Sequence, residues 1–277
     1  MAQDSSFKIT ETLVVARRWQ RLPALAHGFS TRHVTRDDFF ARICAGKRLR
    51  PVLLRQVHSD HIHAVDAVPA APPRGDALIT ATPGLALVIR TADCLPILLF
   101  DPPARAVGAV HAGWRGTLRR ITEKTVNALR AHYRAEPTRM LAVIGPGIHA
   151  CCYQVGEEVL EAFRAQFSYA EELFRGLEPE NPADILLPRQ LMVERRALMR
   201  PLGVMRAHLD LEAANRRQLL DAGLKPENIV TGAACTACRT DLLYSYRREG
   251  AAAGRLHALV ALLPKRGQGR AAPTPHQ

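Results

Sequence analysis

The chain has 277 residues, 47% of them hydrophobic and 23% charged, which is enough apolar material for a folded globular protein with a sizeable core. The formal net charge is +12, but aromatic residues make up only 5% and the arginines are scattered, which argues against dedicated nucleic-acid binding. The amino-terminal residues lack the pattern of a secretory signal, and charges interrupt the most apolar stretch, residues 77–100. We therefore expect a cytoplasmic protein without a membrane partner.

Strand-like patterns begin after the first fifty residues. We expect a strand with polar interruptions over Leu53–Val65, followed by a proline-rich loop at Ala67–Arg74. Small and β-branched residues predict further strands over Leu85–Thr91, Ile97–Phe100 and Ala106–His111.

Helical spacing follows these strands. A helix is predicted over Thr117–Tyr133, then a short buried strand over Met140–Ile144 and a second amphipathic helix over Val155–Phe167. A third helix is expected over Leu187–Met199.

The last third continues the alternation. Asp210 is the predicted N-cap of a helix over Leu211–Ala222, and Gly223 suits the position after it. Strands are expected over Ile229–Ala234 and Leu256–Leu263. These elements predict a single α+β domain over residues 1–264, because consecutive strands are too many for a simple doubly wound sheet. The polar tail, residues 265–277, is expected to be disordered.

The run RQVHSDHIH carries three histidines within six residues. In a strand, His61 and His63 would share one face and His58 would lie on the other. Histidine is the commonest metal ligand, although a histidine in a strand is more often simply hydrogen-bonded.

Two further runs place reactive groups at strand ends. RTADCLP presents Asp93 and Cys94, and HAGWRGT presents His111 before a helix that begins near Arg115, a position that favours an anion. The plainer readings are that Cys94 is a small buried apolar residue and that HAGWRGT is an ordinary strand-to-helix turn.

Taken together, His58, Cys94 and His111 offer two imidazoles and a thiolate, a ligand set for catalytic zinc with one position left open. Three alternatives use the same residues. A thiolate with two imidazoles also suits copper. A binding protein without turnover would need a fourth ligand such as His61 or Asp93. A cysteine amidase would use Cys94 with His111 and no metal.

The remaining cysteines suggest no complete site. Cys235 and Cys238 form a close pair without a second pair, so structural thiols are favoured over a second metal site. Cys151 and Cys152 are adjacent, and we expect them to pack in the interior or to line a pocket.

Several runs of the chain are similar to the YfiH family, described as laccase-domain or polyphenol oxidase-like proteins and as purine nucleoside phosphorylases. The matching runs are RQVHSD (Arg55–Asp60), RTADCLPILLFDP (Arg90–Pro102), VGAVHAGWRGT (Val107–Thr117), IGPGIHACCYQVGEEV (Ile144–Val159), DLEAANRRQLLDAG (Asp210–Gly223), ACTACR (Ala234–Arg239) and LLYSYRREG (Leu242–Gly250). Gln154 departs from the family, whose members often carry glutamate there.

The resemblance implies a single α+β domain of layered mixed β-sheets flanked by helices, with zinc held by His58, Cys94 and His111. It also implies phosphorolysis of adenosine, inosine and methylthioadenosine to a free base and ribose 1-phosphate, together with adenosine deamination. Copper-dependent phenol oxidation and a role connected with peptidoglycan are the activities otherwise attached to the family.

We therefore expect a monomer whose partners are purine nucleosides and phosphate. Asp93 is the candidate proton shuttle. Arg55 and Arg115 are the candidate phosphate ligands, because a guanidinium binds such oxygens with bidentate geometry, and Arg247 and Arg248 are weaker candidates.

Overall fold

The computed structural model describes residues 6–44, 46–47, 49–179 and 205–264. The helix predicted over Leu187–Met199 and the tail predicted for residues 265–277 lie outside these ranges. The strands are β1 (Phe7–Ile9), β2 (Leu13–Ala16), β3 (Leu25–Ser30), β4 (Arg50–Val52), β5 (Ile62–Ala64), β6 (Ala77–Thr80), β7 (Leu85–Thr91), β8 (Leu95–Asp101), β9 (Ala106–Ala112), β10 (Leu141–Ile144), β11 (Gln154–Val155), β12 (Phe174–Pro179), β13 (Met205–Leu209), β14 (Ile229–Val230) and β15 (Leu256–Leu262). The helices are α1 (Arg36–Cys44), α2 (Trp114–Leu118), α3 (Ile121–Tyr133), α4 (Glu157–Gln166), α5 (Leu211–Asp221) and α6 (Tyr246–Glu249).

Two large mixed sheets form the centre of the described structure. Sheet 1 has the strand order β1-β2-β3-β15-β7-β4, and sheet 2 has the order β14-β10-β8-β9-β6-β5. A small third sheet has the order β11-β13-β12. The fold is therefore a single-domain α+β fold with layered sheets, as predicted.

Period-two alternation in β8 shows how the layers are packed. Leu98 and Phe100 face the core between the two sheets, whereas Ile97 and Leu99 face the helices that cover sheet 2. Because both faces of β8 are covered, its sequence is continuously apolar rather than alternating. On the outer face of sheet 1, α1 contributes the buried Phe39. The order of layers is thus helix, sheet, sheet, helices.

Several predicted elements agree closely with the structure. β7 has the predicted bounds Leu85–Thr91. The Asp210 carboxylate accepts a hydrogen bond from the backbone N–H of Ala213 at the start of α5, and Gly223 follows the helix with φ 98°. Among the helices in the described ranges, none is long and apolar enough to cross a membrane.

The single helix predicted over Thr117–Tyr133 is wrong, because the helical conformation is interrupted between α2 and α3. Arg120 takes a left-handed conformation with φ 60° at the break. The buried side chain of Gln218 donates a 2.7 Å hydrogen bond to the Thr117 carbonyl, which a continuous helix would use internally. Tertiary packing against α5 therefore overrides the helical pattern.

The strand predicted over Leu53–Val65 is also wrong in its first part, because only Ile62–Ala64 pairs as a strand. The preceding residues form a loop in which His58 has φ 56°. Backbone N–H groups in this loop turn toward the carboxylate of Asp76 instead of toward a neighbouring strand.

The burial of His27 makes the free energy of unfolding depend on pH. It is buried in β3, and its Nε2 accepts a 3.1 Å hydrogen bond from the backbone N–H of Ala16. Burial lowers its pKa from 6.5 to about 4, so the folded state favours the neutral ring. The stability gained from the neutral ring is therefore complete above the unfolded pKa and is lost as pH falls from 6.5 toward 4. We expect a loss on the order of 3 kcal/mol in unfolding free energy over this window, measured by urea denaturation.

His27→Gln is the matched variant, because its side-chain oxygen can accept the same hydrogen bond but does not titrate. The pKa of His257 is also lowered to about 4 by burial, and this residue stays in both proteins. The difference between the two pH profiles therefore isolates His27. An equally steep acid loss in His27→Gln would show that His27 does not carry the effect.

Candidate active site

The site lies where the chain crosses from sheet 1 to sheet 2. β7 belongs to sheet 1 and β8 to sheet 2, so residues 92–94 make the crossing. Asp93 has φ 89° within this crossing, and its carbonyl accepts a hydrogen bond from the N–H of Ile148. Leu95 pairs with Ala112 and Pro96 with His111 in the β8–β9 ladder. The crossing therefore brings Cys94 beside His111.

The structure brings the three predicted metal ligands together. One donor atom each of His58, Cys94 and His111 lie within 4.8 Å of one another. The two imidazole rings are 5.0 Å apart between centroids, at an interplanar angle of 71°. His111 is buried, Cys94 is half-buried and His58 is exposed, so the group opens toward solvent on the side of His58.

Asp76 is hydrogen-bonded to both histidines of this group, and the sequence analysis missed it. It is fully buried, and its Oδ1 lies 2.8 Å from Nδ1 of His111. The same carboxylate accepts hydrogen bonds from the N–H groups of Val57, His58 and Ser59, and from the Ser59 hydroxyl. Since Nδ1 of His111 is bound to Asp76, Nε2 is the ring nitrogen left for a ligand.

Charges within the group favour a thiolate. Burial disfavours the charged form of Cys94, but His111 and His58 outweigh that effect and lower the pKa of Cys94 to about 6. Burial also opposes protonation of His111, yet Cys94 and Asp76 raise its pKa to about 9. Burial by itself would raise the pKa of the Asp76 carboxyl, whereas hydrogen bonds from His111 and Ser59 hold it well below its usual range. The thiolate is the form of cysteine that binds metals and attacks electrophiles.

Asp93 is buried, and both of its carboxylate oxygens are hydrogen-bonded. Oδ1 accepts from the hydroxyl of Thr236 at 2.6 Å, and Oδ2 accepts from the backbone N–H of Arg247 at 2.6 Å. The side chain therefore ties the crossing to two carboxy-terminal segments. The proton-shuttle role stays a prediction.

The two predicted phosphate ligands are exposed. The Arg115 guanidinium lies over the ring of Trp114, 4.4 Å from the ring centroid. Arg55 forms an isolated parallel bridge with Arg74 through its backbone, which leaves its side chain at the surface. Their role in binding phosphate stays a prediction.

Tyr153 is a further residue that the sequence analysis missed. Burial raises the pKa of its phenol, and the nearby charges of Cys94 and Asp93 add to this rise, while Arg247 and Arg115 oppose it. The Arg247 guanidinium lies 5.3 Å from the Tyr153 ring centroid. Tyr153 therefore belongs to the wall of the site. The adjacent CCY sequence offered a weak signal, since a tyrosine beside two cysteines is not specific.

The donor set of His58, Cys94 and His111 fits a zinc ion. Two imidazole nitrogens and a thiolate are ligands that zinc accepts, and three protein ligands are typical of catalytic zinc. The Asp76–His111 hydrogen bond is the carboxylate–histidine arrangement that commonly supports such a ligand.

Comparison with known proteins identifies the family. Residues 33–263 match a family model described as multi-copper polyphenol oxidoreductase laccase. The chain belongs to this laccase-like YfiH family. A YfiH protein of Shigella flexneri, named a purine nucleoside phosphorylase, is 32% identical over 214 residues, which cover 77% of this chain and 74% of the relative.

Two further YfiH-family relatives carry names of nucleoside-processing enzymes. A purine nucleoside phosphorylase of Deinococcus radiodurans is 39% identical over 213 residues, covering 76% of this chain and 71% of the relative. Adenosine deaminase RL5, from an unknown prokaryotic organism, is 35% identical over 214 residues, covering 74% of this chain and 72% of the relative.

Solved structures show the same YfiH-like fold. YlmD from Geobacillus stearothermophilus superposes with a TM-score of 0.72 at 27% identity, covering 94% of this chain and 100% of that one. The YfiH protein of Bacillus licheniformis has a TM-score of 0.76 at 24% identity, covering 92% of this chain and 98% of that one, and it supports the fold alone.

Gly113 packs directly on the group, which generates a test of its geometry. A Cβ added there would lie 2.8 Å from Sγ of Cys94 and 3.4 Å from Cδ2 of His58. Its backbone, with φ −81° and ψ 171°, is one that alanine adopts without strain. We therefore expect Gly113→Ala to displace Cys94 and to lower the free energy of unfolding by about 1–3 kcal/mol, measured by urea denaturation.

Gly108→Ala, in the preceding strand β9, is the control. Its added Cβ would make ordinary contacts, the nearest being Leu129 Cδ1 at 3.4 Å. We expect a smaller loss there and no change in the reactivity of the Cys94 thiol. Equal losses of stability in the two variants would contradict a specific clash with Cys94.

Proposed function

We propose that this chain is a zinc-dependent purine nucleoside phosphorylase that also deaminates adenosine, with the ion held by His58, Cys94 and His111. The convergence of these three donors within 4.8 Å carries the proposal. Relatives named purine nucleoside phosphorylase and adenosine deaminase support it. A zinc ion bound there supplies Lewis-acid chemistry.

Phosphorolysis requires phosphate to reach the anomeric carbon of the ribose. A phosphate oxygen forms a bond to that carbon while the glycosidic C–N bond breaks, and the base leaves with the bonding electrons and gains a proton. We assign binding of the phosphate to Arg55 and Arg115, whose exposed guanidinium groups match phosphate oxygens. Asp76 holds the imidazole of His111 and the backbone of His58 in place.

Deamination is the second activity, and the relative named adenosine deaminase favours it. Water oxygen forms a bond to C6 of the adenine while the C6–N bond to the amino group breaks and ammonia leaves. The step needs a group that moves a proton from the water to the leaving nitrogen. We assign this to Asp93, whose Oδ1 accepts a 2.6 Å hydrogen bond from the Thr236 hydroxyl.

Single alanine replacements of His58, Cys94 and His111, called the trio below, test the proposal. We expect His58→Ala, Cys94→Ala and His111→Ala each to lose about one equivalent of zinc and to reduce adenosine turnover roughly a hundredfold or more, because each removes one of three protein ligands. Metal content is measured by elemental analysis, and products are separated by chromatography. Ribose 1-phosphate is expected only when phosphate is present.

His61→Ala is the control, because His61 lies in the same histidine-rich run but outside the trio. It should keep both zinc and turnover. Full activity in all three trio variants would refute the zinc site. Activity that survives a strong chelator but disappears in Cys94→Ala would favour the metal-free cysteine amidase chemistry instead.

Asp76→Asn tests the support of His111. The variant keeps the shape of the side chain but removes the charge that fixes the imidazole, so zinc affinity should fall about 10–100-fold. Competition with a zinc-binding dye measures that affinity.

Asp101→Asn is its control. Asp101 is equally buried and caps a turn through the N–H groups of Ala104 and Glu136, away from the trio. Both variants should lose stability, but only Asp76→Asn should lose zinc affinity. Equal zinc affinities would leave Asp76 with a role in folding alone.

A further inference from the structure

Four cysteines converge in a second group, separate from the trio. The Sγ atoms of Cys151, Cys152, Cys235 and Cys238 all lie within 4.8 Å of one another. The expectation that the Cys235–Cys238 pair lacks a second pair is therefore wrong. A parallel bridge between Gly147 and Cys235 aligns the two segments and brings the adjacent cysteines against the pair.

The spacing of the sulfur atoms suits one ion. Sγ of Cys238 lies 3.5 Å from that of Cys151 and 3.4 Å from that of Cys152, and all four thiols are free. Four sulfurs around zinc at about 2.3 Å would be separated by about 3.8 Å, so small side-chain adjustments would complete a tetrahedron. A set of four thiolates in this arrangement is typical of a structural zinc site, and iron is the other metal that such a set holds.

Backbone and side-chain donors already point at the sulfurs. The N–H of His149 donates a 3.4 Å hydrogen bond to Sγ of Cys235, and the guanidinium of Arg248 lies 3.8 Å from Sγ of Cys152. Nε of Arg248 also donates to the carbonyl of Ala237, between the two pair cysteines. Such donors stabilise thiolate ligands, and the arginine charge offsets the negative charge of a tetrathiolate.

We propose that Cys151, Cys152, Cys235 and Cys238 form a four-coordinate structural zinc site, distinct from the zinc site of the trio. All four positions come from the protein, which leaves none open for substrate, so the site has a structural role.

The site would join two segments that build the wall of the active site. Ile148 and Thr236 bind the backbone and the side chain of Asp93 respectively, and each lies within a few residues of one cysteine pair. The Arg247 guanidinium donates to the carbonyl of Gln154 at 2.8 Å and its backbone N–H donates to Asp93. An ion that links the two segments would therefore keep the side chain of Asp93 and the backbone of Arg247 in their observed positions.

The experiment counts zinc in the full chain, purified under reducing conditions. We expect Cys238→Ser to hold about one equivalent less than the wild type, because three thiolates cannot close the site. Cys44→Ser, a lone cysteine in α1, should match the wild type. Cys94→Ala removes a ligand of the trio but should keep the zinc that Cys238→Ser loses. The zinc difference between Cys238→Ser and the wild type is therefore expected even if the trio holds no zinc.

A second measurement needs no folded Cys238 variant. Cobalt exchanged into Cys94→Ala should show the intense charge-transfer absorption of four thiolates, and in the same variant a chelator should expose four additional thiols to a thiol reagent. Equal zinc in Cys238→Ser and wild type, or four thiols reactive without chelator, would overturn the proposal. So would bound iron instead of zinc, or a mass two hydrogens lower that reveals a disulfide in this group.

Discussion

The arrangement of the active site depends on one buried carboxylate. Asp76 directly precedes β6 and is inaccessible to solvent, so its charge must be compensated inside the protein. Compensation comes from three consecutive backbone N–H groups of the loop that carries His58 and from the imidazole of His111 at the end of β9. Two candidate ligands of the trio, distant in the sequence, are thus positioned by the same carboxylate. The third ligand, Cys94, follows from the β8–β9 register, which sets it beside His111.

Sequence patterns predicted those parts of the fold that local chemistry determines. Continuous apolar runs identified β7, β8 and β9, and Asp210 with Gly223 marked the ends of α5, because capping needs particular side chains. The histidine and cysteine types at the strand ends pointed to the trio as candidate metal ligands, and the family resemblance implied the same three residues. Asp76 escaped notice because a single aspartate before an apolar strand resembles any turn residue. Its importance comes from contacts with the loop around His58, which also explain why the strand predicted there is absent.

Asp93 connects the two groups of candidate metal ligands. It is followed directly by Cys94, and its carboxylate binds Thr236, which lies between the cysteines of the Cys235–Cys238 pair. The pattern of cysteine spacing could not reveal this connection, since adjacent cysteines and a distant pair have no sequence relation until Gly147 and Cys235 pair. A displacement of the cysteine segments would therefore be transmitted through one hydrogen-bonded carboxylate to the crossing between the sheets.

The position of β15 has a consequence for how the protein is made. This strand, Leu256–Leu262, is inserted between β3 and β7 in the interior of sheet 1 and pairs with both in antiparallel fashion. While a ribosome is still elongating the chain, β3 and β7 have no common neighbour, and their inner edges remain available to other chains. Assembly of sheet 1 must therefore wait until translation has passed residue 262. During that interval the nascent polypeptide depends on rapid completion, or on chaperones, to avoid association through those open edges.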